Sequence, residues 1–192
     1  MGKGRLEAFS DGVIAIIITI MILELHVPRG AGFAALAPLV PPFVAYLLSF
    51  LFVGIYWNNH HHMLQVSERV SGAVLWANLH LLFWLSLVPA TTAWMGETRF
   101  VAVPTALYGV VLLMAGFAYK LLQLALLRCH GPDFVLRRAL GADRKGNWSL
   151  AAYVVAVPSC WINTWIAGAI YVLIALLWLL PDRRIEGALA SD

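Results

Sequence analysis

The sequence predicts an all-α integral membrane protein with six transmembrane helices per subunit, and three observations predict it. Apolar residues make up 61% of the 192 positions and charged residues only 12%, against ~25% charged in an average soluble domain. The charges are gathered between long stretches that hold none, such as 13–23, 43–57 and 101–119. Finally, several segments built around these stretches are long enough, because a helix needs ~20 mostly apolar residues to cross about 30 Å of hydrocarbon.

Six spans are expected, at roughly 8–27, 40–60, 71–94, 101–127, 148–162 and 164–180. The first apolar run ends in Glu24-Leu25-His26 rather than a small-residue cleavage site, so it reads as a retained span and not as a signal peptide. Pro38, Pro41 and Pro42 stand where the second helix begins, a position that tolerates a missing N–H. Lys120 inside the fourth run is read as buried in a subunit contact or snorkelling. As one helix, 148–180 would be about 50 Å long, so it is divided at Pro158, Asn163 and Thr164. Trp57, Trp94, Trp148, Trp161, Trp165 and Trp178 fall near span ends, as interfacial anchors do, whereas Trp76 and Trp84 lie inside the third span.

Charge placement selects six spans over five. With six, one side carries Lys3, Arg5, Arg69, Arg128, Arg137, Arg138, Arg144, Lys145, Arg183 and Arg184, and the other only Arg29 and Arg99. The positive-inside rule then puts both termini in the cytoplasm of a cell whose inner (plasma) membrane holds the protein. The basic stretch 128–147, with Phe134, Leu136 and Leu140 spaced as a weak amphipathic segment, reads as a cytoplasmic loop lying against headgroups. Without an internal repeat, residues 1–181 form one six-helix transmembrane domain and 182–192 a short cytoplasmic tail.

Several function classes lose ground here. No basic stripe interleaved with aromatics offers a nucleic-acid face, and no cofactor motif is present. Ser86 and Ser159 lack a G-x-S-G context or triad, which argues against an intramembrane serine protease. His60-His61-His62 point about 100° apart on a helix, so they do not converge on one metal ion without partners. Solvated histidines, or histidines hydrogen-bonded to Ser10 and Asp11, are the other readings of that run.

The first helix carries the most information. Asp11, at the mouth of a spanning helix, is costly unless paired or wet. Helix capping or an interhelical hydrogen bond is one role for it. With Ile16 at zero, a helix of about 100° per residue puts Gly12, Thr19, Ile20 and Leu23 within about 60° of it. Ser10 and Asp11 fall on the opposite side. The stripe faces either a pore or lipid, since this helix is apolar all round. Glu24 and His26 flank its outer end, as interfacial anchors or as a cation-attracting ring.

Three ordered motifs then carry a resemblance. They are Arg5-xxx-Phe9-Ser10-Asp11, Trp57-Asn-Asn-His60-His61, and the run from Asn78 through Ser86 to Pro89. Together they resemble the signatures of the transmembrane protein 175 family, the endosomal and lysosomal potassium channels and their prokaryotic relatives. The resemblance implies a homotetramer in membrane lipid, with the first helix lining a central pore permeable to K⁺, which is present only in transit. It implies a main hydrophobic constriction at Ile16, further rings at Ile20 and Leu23, and a polar lining position at Thr19. It also implies a network in which Ser10 and Asp11 bond to Trp57, His60, His61 and Asn78. Neither an enzyme nor a bound cofactor is implied. A proton- or cation-coupled secondary transporter, with Asp11, Glu24 and the histidines as relays, is the alternative; the lack of an inverted repeat counts against it.

Overall fold

The computed structural model describes residues 2–131, 134, 136–137 and 143–179. They form seven α-helices and one 3₁₀ helix: α1 (Lys3–Leu23), the 3₁₀ helix (Phe33–Leu39), α2 (Val40–Gln65), α3 (Gly72–Ser86), α4 (Val88–Glu97), α5 (Ala102–His130), α6 (Arg144–Ser159) and α7 (Thr164–Leu179). The expected tail, 182–192, and Leu140 lie outside the described residues. Among the described residues, four segments are long and apolar enough to cross a membrane: α1, the 3₁₀ helix with α2, α3 with α4, and α5. The last two helices are shorter, 16 residues each.

The expected third span differs from the structure. It is broken at Leu87, between α3 and α4, because Pro89 in the first turn of α4 has no N–H to offer the preceding turn. The expected loop 128–147 also shrinks at both ends, since α5 continues to His130 and α6 begins at Arg144. Phe134 and Leu136 are buried rather than laid against a headgroup surface. The divide between the last two helices falls where Pro158 and Asn163 place it: the Asn163 Oδ1 accepts from the Trp165 N–H at 2.9 Å and opens α7.

α5 is the central column, packed by α3, α4, α6 and α7. Tyr108, Leu112, Ala115, Ala118, Leu122 and Leu126 are all shut from the surface along its length. Small residues permit this closeness, as they do in membrane bundles generally. A methyl group on Gly109 would overlap the Tyr171 hydroxyl, which donates to the Thr105 carbonyl at 3.2 Å. On the half away from the α1 N-terminus, Ser49 joins Thr92 at 2.7 Å and Tyr108 at 3.0 Å, linking α2, α4 and α5. Lys120 is held by Asp143, 3.6 Å away, and by a hydrogen bond to Asn147, which ties α5 to the start of α6.

α1 lies on the edge of this bundle against α2, α3 and α4. Its N-terminus shares an end of the molecule with the α2–α3 turn, where the Lys3 ammonium donates to the Gln65 carbonyl at 2.8 Å.

Candidate functional site

Leu6, Ser10, Ile14, Ile17 and Met21, spaced three and four apart, form the buried stripe of α1. The opposite arc is open. Ile16 is 58% exposed, Ile20 40% and Leu23 79%. Gly12 and Thr19 are exposed on the same arc, and Phe9 falls within it, half exposed. For an apolar helix this asymmetry is set by packing rather than composition. The Thr19 hydroxyl donates to the Ile16 carbonyl at 2.8 Å, which leaves its oxygen lone pairs turned outward.

The polar residues of the first motif are fastened to the bundle. Asn78, fully buried on α3, donates from Nδ2 to the Ser10 Oγ at 2.9 Å, and Ser10 donates to the Leu6 carbonyl at 2.8 Å. The Asn78 Oδ1 meets the His60 Nε2 at 2.7 Å, which brings α2 into the same chain of bonds. Since a carboxamide oxygen only accepts, His60 carries its proton on Nε2. Beside this chain, the Trp57 Nε1–H donates to the Asp11 Oδ1 at 3.0 Å. Three helices are thus tied at one level by side chains whose partners are all named by the motifs.

The remaining predicted residues divide. His61 joins by stacking on Trp57, with ring centroids 6.0 Å apart, rather than by hydrogen bonding. His62 lies half-buried, and its Nδ1 has no partner among the described residues. The three histidines point in separate directions. Arg5 is exposed one turn before the network. In the third span, Trp84 donates to the His80 Nε2 at 2.9 Å, whereas Trp76 is exposed.

At the other end of α1, Ile16, Ile20 and Glu24 border an open groove whose far wall is Ser86, Pro89, Ala93, Trp94 and Glu97. His26 approaches Glu97 at 3.8 Å. Sequence reasoning gave Glu97 no role; its position at the end of the third span, on the same side as Glu24, was the available signal.

Comparison with known proteins identifies the family. The profile of the family described as endosomal/lysosomal potassium channel TMEM175 matches residues 5–89, the stretch that holds all three motifs. A potassium channel of Chryseobacterium sp. (strain P1-3) is 51% identical over 192 residues, covering 100% of both chains. The human endosomal/lysosomal proton channel TMEM175 is 38% identical over 96 residues, 43% of this chain and 19% of that protein. The crystal structure of a lysosomal potassium-selective channel TMEM175 homolog from Chamaesiphon minutus superposes with a TM-score of 0.81 at 27% identity, covering 94% of this chain and 97% of that one.

Proposed function

Since the chain belongs to the endosomal/lysosomal potassium channel TMEM175 family, we propose that this multi-pass membrane protein is one subunit of a homotetrameric, potassium-permeable channel. Ions cross it passively through a central pore lined by α1. The observation that carries the reading is the two-sidedness of α1: polar anchors and a packed stripe on one side, and Ile16, Thr19, Ile20 and Leu23 left open on the other.

The mechanism follows from the side chains. Four copies of Ile16 around an axis exclude water and raise the cost of passing a bare ion, which makes them both gate and filter. K⁺ sheds hydration water more easily than Na⁺, so a tight apolar ring favours it. The outward lone pairs of Thr19 lie one turn above and replace part of the lost hydration. Ile20 and Leu23 extend the dry passage, and Glu24 and Glu97 concentrate cations at the outer mouth. Six membrane crossings with both termini in the cytoplasm complete the arrangement, and the inner (plasma) membrane is its place. Cysteine labelling tests this topology: positions 30 and 97 should react from outside, and position 144 only from within.

The gate is tested by Ile16→Asn, read as K⁺ and Na⁺ flux in liposomes. A polar ring admits water, so flux rises at least about tenfold and K⁺/Na⁺ discrimination falls. Ile17 is packed inside the subunit at 3% exposure, so Ile17→Val should leave both quantities within about twofold of the parent. Equal responses at the two positions would return the arc to lipid.

A further inference from the structure

His130, the last residue of α5, is bonded in a way that none of the three motifs accounts for. Its Nδ1 lies 3.0 Å from the Leu126 carbonyl, an acceptor only, so the ring proton sits on Nδ1. The Nε2 is therefore a bare lone pair. It receives two backbone N–H groups at once, those of Glu68 and Arg69, each at 3.0 Å. One face of the ring is covered by Phe134, stacked with centroids 4.1 Å apart and planes within 13°. Both nitrogens are used, and the neutral imidazole is the only form that satisfies all three bonds.

Glu68 and Arg69 belong to the turn between α2 and α3. That turn joins the helix bearing Trp57 and His60 to the helix bearing Asn78, the two that anchor α1. Beside the ring contact, Cys129 lies 3.9 Å from the Arg69 carbonyl.

We propose that His130 is a proton-sensitive latch that fastens the α2–α3 turn to the end of α5 and releases it on acidification of that side of the membrane. The physical cause is a reversal of polarity at one atom. A second ring proton on Nε2 points at two N–H donors, so two attractive contacts become repulsive together, while the Leu126 bond persists. Imidazole is the side chain suited to change charge between about pH 5 and 8.

Among the described residues, the ionisable groups around the latch are Glu68 and Arg69 on the turn, Arg128 and Cys129 on α5, Arg137 one turn beyond Phe134, and Lys3 of α1 on Gln65. Among the described residues, no carboxylate forms an ion pair with His130 that would hold the protonated ring in place. Released, the turn no longer restrains the spacing of α2 and α3, and the network on Ser10 and Asp11 loosens with it.

The latch stands on the fold alone, and its test does not depend on ion conduction. Amide hydrogen exchange of the full chain in detergent or nanodiscs, at about pH 8 and about pH 5 and corrected for intrinsic rates, reads the Glu68 and Arg69 amides directly. Their protection should fall about tenfold or more at the lower pH, as expected for two lost hydrogen bonds. His130→Gln places a non-titrating oxygen near the Nε2 position, and its protection should be the same at both pH values. His130→Ala should show the low-pH exchange at both. Undiminished wild-type protection at the lower pH, or an equal loss in His130→Gln, overturns the proposal. Should the alanine variant not fold, the wild type and the glutamine variant decide the matter between them.

Discussion

α1 and α5 are nearly equal in mean hydropathy and both are long enough to span a bilayer, yet 28% of the one's apolar window is buried and 44% of the other's. α5 is a structural mast. It is surrounded by four helices, lined with Gly and Ala where neighbours press closest, and buried at nearly every turn. α1 is packed along one stripe and bare along the other. Hydropathy thus marks which segments leave water and says nothing about what they meet instead. The polar residues make that distinction: α1 carries Ser10 and Asp11 on its packed side, and those bonds fix which arc is left for a different neighbour.

If that contrast is right, substitutions on the two helices should separate by size. The largest effect belongs to Gly109→Leu, which drives a branched side chain into the Tyr171 hydroxyl and breaks its bond to Thr105. A loss above about 3 kcal/mol is expected, seen as failure to recover monodisperse protein. Leu112→Ala opens a cavity in the middle of the column and should lower stability by about 2–3 kcal/mol in a detergent melt. Asn78→Leu strips Ser10 and His60 of their shared partner and should cost about 1–2 kcal/mol, with α1 detached before the bundle melts. Leu23→Ala, on the bare arc, should move the same melt by less than about 0.5 kcal/mol while changing ion flux. A Leu23→Ala cost equal to that of Leu112→Ala would erase the distinction between mast and lining.

Much of this was legible in the chain. The charge-free runs located the apolar segments, and Pro158 with Asn163 divided the last pair of helices. Helical spacing put Ser10 opposite Ile16, which is where the structure has them, because a regular helix carries its angular order with it. The break at Leu87 was missed although Pro89 was in plain view: a proline in the first turn of a helix and one inside a longer helix look alike in sequence. The inward turn of Phe134 was missed because its partner, His130, lies on a helix expected to end earlier. The His130 latch was out of reach, since its partners are backbone N–H groups that any residue supplies.

Among the described residues, the side-chain hydrogen bonds that tie α1 to its neighbours lie in its first half, at Lys3, Ser10 and Asp11, and beyond them Ile14, Ile17 and Met21 pack against the bundle with apolar side chains. In mechanical terms α1 is a beam clamped near one end and resting on a smooth wall along the remainder. Dispersion contacts resist separation but scarcely resist sliding. At 1.5 Å of rise per residue, Ile16 stands about 7.5 Å past the clamp and Leu23 about 18 Å past it. A small pivot at Asp11 therefore sweeps Leu23 more than about twice as far as Ile16. The break between α3 and α4 adds to this, since the helix that carries Asn78 is interrupted at Leu87, before the part that supports the second half of α1. In the pore we propose, the ring at Leu23 would be the compliant one and the ring at Ile16, nearer the clamp, the stiff one.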